Sequence, residues 1–188
     1  MNKKRGRERD AKLNYKGHLT VGSICFLLLT SIVLAVTYQL PYACLLPLPL
    51  SHPLSLEDFA LGLMVCLFAS LAPDLDHKHS KIHRWSYTGA VSFGIALYLF
   101  TRAPAKAAIF TVSLFLIIFL LSKLKHRGVT HQLLGVAVFT TFLFSGLYIM
   151  DIGSSYVIIT LYGAVGYLSH ICADYCSTWL KRRKNKSH

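Results

Sequence analysis

Acidic side chains are scarce in this chain. Asp and Glu together number 8 in 188 residues, and all charged residues make up 15% of it against 54% hydrophobic. That balance excludes an ordinary water-soluble domain, whose charged share is ~25%. A polytopic membrane protein is the class it fits. Cysteines in metal-binding spacing are missing as well: Cys25, Cys44, Cys66, Cys172 and Cys176 lie mostly in apolar stretches and form no C-x-x-C pair. Neither a disulfide framework nor a thiolate zinc knuckle is indicated by this pattern. No small-residue cleavage site follows the first apolar stretch, so the basic N-terminus and that stretch read as a retained anchor rather than a signal peptide. Neither an internal repeat nor low complexity outside the two basic tails is evident.

What is abundant is apolar sequence cut into spans. Leu19 to Leu40 is an apolar segment of 22 residues, enough at ~1.5 Å per residue to cross a hydrocarbon core of ~30 Å. Pro41, Pro47, Pro49 and Pro53 then break helix in a loop without Lys or Arg. Ser55, followed by Glu57 and Asp58, predicts an N-cap and acidic first turn for a second helix ending near Pro73. Further helices are predicted over Trp85–Thr101, Ala105–Ser122, His131–Met150 with Thr130 as N-cap, and from Gly153, Ser154 and Ser155 to about Leu180.

Charge sets the expected orientation. Of the 20 Lys and Arg residues, 18 lie before the first span, after the sixth, or in the loops after the second and fourth; Arg102 and Lys106 alone face the other way. The positive-inside rule then predicts an all-α integral membrane bundle of six transmembrane helices with both termini cytoplasmic. Residues 1–17 form a basic cytoplasmic tail, 18–180 a six-span membrane domain, and 181–188 a second basic tail. The net charge of +12 serves topology on this reading, and nucleic acid is not an expected partner.

Within this frame the His and Asp residues fall at one end of the spans. His18 enters the first, Asp74, Asp76 and His77 leave the second, His126 and His131 flank the turn before the fifth, and His170 and Asp174 share one face of the sixth at i, i+4 spacing. Each has a bland reading: a snorkelling histidine, a hydrophilic loop, a hydrogen bond within a helix. Eight such positions at one end make a shared divalent cation the simpler explanation, because ionisable groups beside lipid need compensation. Carboxylates at a helix C-terminus meet its negative dipole end and also call for a cation. Imidazole with carboxylate suits Zn²⁺ first, with Mn²⁺ or Fe²⁺ as alternatives, in a site of one or two ions. Asp74, Asp76 and Asp174 are the candidate catalytic carboxylates, Arg127 the candidate anchor for an anionic group such as phosphate. Ser177, on the His170 face, is a candidate supporting hydroxyl.

The order Gly17-His18-Leu19, Pro73-Asp74-Leu75-Asp76-His77 with Ser80, His126-Arg127-Gly128-Val129-Thr130-His131, and Gly166 with His170 and Asp174 resembles the YdjM family of bacterial inner-membrane proteins, described as predicted membrane-bound metal-dependent hydrolases. The likeness runs from about residue 15 to residue 178. It implies a helical membrane fold, metal ligands among those positions and a bacterial inner-membrane location. Two features depart from the pattern: Gln132 stands where a Ser commonly follows the second His, and Trp179-Leu180 with a basic tail replaces a Gly-rich and aromatic stretch.

The expected function is a metal-dependent hydrolase at the cytoplasmic face, with activated water attacking a phosphorylated or lipid-derived substrate and membrane lipid as its surroundings. The competing class is a non-catalytic metal-binding protein, a cation transporter or a sensor. Transport would put ligands near the bilayer midplane, whereas these cluster at one face. The K-x-x-x-x-x-x-R-P and P-S-G-H elements of a type 2 phosphatidic acid phosphatase are absent, as is the aspartate run of a CDP-alcohol transferase.

Overall fold

The computed structural model describes residues 15–39, 55–76, 81–121, 129–151 and 155–186. Six helices make up this part of the chain, with no strand among the described residues: α1 (Tyr15–Gln39), α2 (Leu56–Ala69), α3 (Lys81–Thr101), α4 (Pro104–Leu121), α5 (Leu133–Ile149) and α6 (Tyr156–Lys186). Two short 3-10 turns, Ala72–Asp76 after α2 and Val129–His131 before α5, carry polar motifs. The all-α expectation holds. Two segments, Tyr15–Val36 of α1 and Tyr156–Leu180 of α6, are long and apolar enough to cross a membrane, while α4 and α5 present shorter apolar stretches. At 14 residues, α2 is ~21 Å long and by itself falls short of a ~30 Å core.

The ends of the helices follow local chemistry. Ser55 caps α2 as its sequence predicts: its Oγ accepts from the Asp58 backbone N–H, and the Asp58 carboxylate accepts from the Ser55 N–H, both at 3.0 Å. Thr130, in contrast, is not the N-cap of α5. It belongs to the 3-10 turn, and Gln132 holds the cap position in extended conformation without a side-chain bond to the helix. The sixth helix also outlasts its apolar stretch, continuing to Lys186. Lys and Arg are good helix formers and sit favourably at a helix C-terminus, so the basic tail extends the helix instead of ending it.

Helix α6 is central. It packs on α2, α1 and α5, while α3 and α4 form a neighbouring pair. Leu61, Val65, Leu97, Phe110, Leu147 and Ile159 build the main apolar core. Phe26, Cys66, Ile158 and Tyr162 form a second one between α1, α2 and α6. In it the Thr30 hydroxyl donates to the Phe26 carbonyl at 2.8 Å. Its one proton is then committed, so Tyr162 Oη is the donor in the 3.0 Å bond between these two side chains. Outward-facing Leu28, Ile95, Val112 and Val138 are at least two-fifths exposed. Apolar side chains on the outside as well as the inside are what a lipid solvent permits.

Small residues allow α6 to approach its neighbours. A Cβ on Gly22 would lie 2.9 Å from the Ser70 side chain, and one on Gly166 would run into the Cys66 backbone carbonyl. Backbone cannot step aside as a flexible side chain can. Gly166→Ala should therefore push α6 from α2 at a cost of ~1–3 kcal/mol, read as a fall of several degrees in the thermal unfolding midpoint of the detergent-solubilised chain. Gly89→Ala is the control, because its Cβ would meet only Phe68 at an ordinary 3.5 Å.

Candidate metal centre

Five of the predicted ligands converge at one end of the bundle. His18 lies in the first turn of α1, Asp74 in the 3-10 turn after α2, His131 in the turn before α5, and His170 and Asp174 one turn apart on α6. His18 and His170 are fully buried and stack, with ring centroids 3.8 Å apart and planes 16° from parallel. From His18 Nε2 to Asp174 Oδ1 is 3.5 Å. His131 Nε2 lies 3.9 Å from Asp74 Oδ1 and 3.8 Å from Asp174 Oδ2. His170 Nε2 is 3.9 Å from each of the same two oxygens.

These separations are informative because they match neither a hydrogen bond nor an unrelated neighbour. Direct N–H···O bonds run at ~2.7–3.2 Å. Ligands on a tetrahedral ion with bonds of ~2.0–2.2 Å stand roughly 3.3–3.6 Å apart. The observed ring of nitrogen and oxygen donors is only a few tenths of an ångström wider. Two trios, His18 with His170 and Asp174, and Asp74 with His131 and His170, have ligand atoms all within 4.8 Å of one another and could hold a metal ion.

Hydrogen bonding fixes which nitrogen faces the site. His170 Nδ1 lies 2.8 Å from the Ser70 carbonyl oxygen, which can only accept, so Nδ1 carries a proton and Nε2 points inward. Buried and with no hydrogen-bond partner among the described residues, Nε2 faces two carboxylate oxygens across 3.9 Å. In the neutral ring the Nε2 lone pair opposes these negative oxygens, which is repulsive unless a proton or a metal cation lies between them. As metal ligands the three imidazoles would be neutral, and with the two carboxylates the donor set would then carry a formal charge of −2, which balances a divalent ion. The residues fit such a group in number, type and spacing.

His131 is held in a similar way, one step removed. Its Nδ1 is 3.2 Å from Thr130 Oγ1, and the Thr130 carbonyl accepts a 2.6 Å bond from the buried Tyr167 hydroxyl. Tyr167 thus ties the 3-10 turn to α6 one turn before His170. Sequence reading missed both Ser70 and Tyr167. A tyrosine three residues before His170 was a readable signal, whereas Ser70 acts through its backbone and gives none.

The remaining predicted residues divide in two. Asp76 ends the turn that carries Asp74, but its side chain, together with His77, His126 and Arg127, lies outside the described residues. The Ser177 hydroxyl donates to the Asp174 backbone carbonyl at 2.9 Å. Beside the cluster opens a cleft of about 240 Å³, bounded by His131 and Asp174 at its inner end and by Tyr175, Thr178, Trp179 and Arg182 along α6.

Removing the Tyr167 hydroxyl tests the support of His131. Tyr167→Phe should weaken divalent-metal affinity ~10–100-fold while preserving helix content, measured by metal titration of the purified chain and far-ultraviolet circular dichroism.

The description "YdjM inner membrane protein" belongs to a family model that matches residues 13–179. No curated protein and no solved structure matches the chain. The match takes in every described helix but the last turns of α6 and spans all four motifs, so the chain belongs to the YdjM inner membrane protein family.

Proposed function

We propose that His18, Asp74, His131, His170 and Asp174 hold one divalent cation, and that the protein is a hydrolase of the inner membrane that uses it. The observation that carries this reading is His170 Nε2, buried and aimed at two carboxylates too distant to bond to it. One ion is favoured over two because both trios depend on His170, whose Nε2 has a single lone pair. Zn²⁺ suits this imidazole and carboxylate set best, with Mn²⁺ and Fe²⁺ next.

A bound ion supplies Lewis-acid activation of water and of a phosphoryl or carbonyl oxygen. The chain's own part is positional and acid–base. His170 is held by Ser70 and His131 by the Thr130 turn, so their Nε2 atoms stay aimed without reorganisation. Asp174 lies between His18, His131 and His170 and borders the open cleft. Whichever of its carboxylate oxygens is not engaged by the ion can take a proton from attacking water as the bond to substrate forms, and return it to the leaving group. Asp74 shares the charge. Asp76 and Arg127 remain candidate contributors from the adjoining segments, with His77 and His126 as further candidate ligands.

Clustering at helix ends, with a cleft alongside, supports surface chemistry over passage of an ion through the bilayer. For the membrane arrangement we infer six spans with both termini cytoplasmic, supported by the one-sided distribution of Lys and Arg. A reporter active only in the cytoplasm, fused to the C-terminus, should be active, and one fused in the loop of residues 41–54 should be silent. The reverse pattern would overturn the orientation.

Metal analysis tests the centre. Purified in mild detergent, the full chain should carry about one divalent ion, and a His170→Ala, Asp174→Ala double variant of unchanged helix content should carry none. Turnover is a separate question: metal-loaded protein should hydrolyse at least one of a phosphomonoester, phosphodiester, ester or amide probe, with the double variant inactive. Failure on every probe would leave a metal-binding protein and remove the hydrolase.

A further inference from the structure

The cleft beside the cluster has a chemistry of its own. Beyond Asp174, two adjacent ridges of α6 line it, Asp174–Thr178–Arg182 and Tyr175–Trp179, each spaced by i, i+4 so that the side chains stand in rows. Asp174 and Arg182 are eight residues apart, ~12 Å along the helix axis, and the long Arg side chain shortens that gap. A carboxylate and an imidazole from the cluster therefore occupy one end of the cleft and a guanidinium the other.

The basic end of α6 has a bland role in topology and in meeting the helix dipole. What distinguishes Arg182 is that it lines the same cleft as His131 and Asp174, whereas the guanidinium of Arg183 sits over the Trp179 ring at 5.3 Å. Trp179 is half exposed and Tyr175 nearly three-quarters exposed, and both lie close to Leu180, where the apolar part of α6 ends. Aromatic rings at that level suit a ligand with one apolar and one polar end.

We propose that this cleft is a phosphoryl-binding subsite: Arg182 holds the anionic group of a phosphate ester, Tyr175 and Trp179 flank its organic part, and the rest of the molecule extends towards His131 and Asp174. A planar guanidinium pairs bidentately with phosphate oxygens, which a lysine at this place would not do. The subsite deepens the hydrolase reading and rests on it for the identity of the reacting end, but anion binding is measurable without turnover.

The chain has two tryptophans, so Trp85→Phe leaves Trp179 as the sole indole reporter. This variant, as the full chain in phosphatidylcholine nanodiscs, is titrated with dihexanoyl phosphatidic acid and separately with glycerol 3-phosphate, following Trp179 emission. A saturable change is expected with at least one probe; the probe that binds more tightly tells whether the phosphoryl group arrives on a lipid or on a soluble ester. Adding Arg182→Gln should raise its Kd by at least ~tenfold, and Arg183→Gln should leave it within a few-fold. No saturable change with either probe, an unchanged Kd in Arg182→Gln, or an equal loss in Arg183→Gln would overturn the subsite. Metal content is measured on the same samples. A loaded centre without anion binding removes the subsite alone, while an empty centre counts against the metal reading and leaves the Arg182 comparison to judge the subsite.

Discussion

The bond from His170 Nδ1 to the Ser70 carbonyl sets the terms for everything at the polar end of this bundle. It joins the central helix to the end of α2, fixes the ring's tautomer and turns Nε2 towards Asp74 and Asp174. Histidine ligands are commonly oriented by their second nitrogen in this way. Here the acceptor is a main-chain oxygen at a helix end, where carbonyls lack intrahelical partners. The packing below serves the same bond. Gly22 and Gly166 bring α1 and α6 against α2 at the level of Cys66 and Ser70, so that a side chain on either glycine would move the acceptor from its donor.

Charge and burial pull against each other at this site. Two carboxylates and three imidazoles in a largely buried cluster are expensive to desolvate, and the distances among them are too long for hydrogen bonds to offset that cost. Stacking of His18 on His170 covers one ring face but satisfies no nitrogen. Such a cluster persists in a folded protein when something of opposite charge shares it. The cleft along α6 keeps one side of Asp174 open to water, as chemistry on an incoming molecule would require.

Much of this was legible in the residues themselves. Apolar runs predicted each of the described helices, and the Ser55 cap appeared as expected, because hydropathy and capping are local properties. Convergence of His18, Asp74, His131, His170 and Asp174 was expected because each stands at or near the end of an apolar segment on the same, basic side of the expected topology. Thr130 looked like a helix cap, but its carbonyl is taken by Tyr167 and its hydroxyl lies against His131, so a tertiary bond overrode a local preference. Ser70 left no trace at all, since any residue offers the same carbonyl, and Arg182 was hidden among basic residues whose number suggested only topology.

The cluster is shared between the first and the last of the described helices, His18 on α1 and His170 with Asp174 on α6. During biogenesis His18 must wait through some 150 residues of translation before its stacking partner emerges. A nascent or truncated polypeptide accordingly lacks part of this cluster, and any ion the five residues hold would be taken up only once α6 is in place.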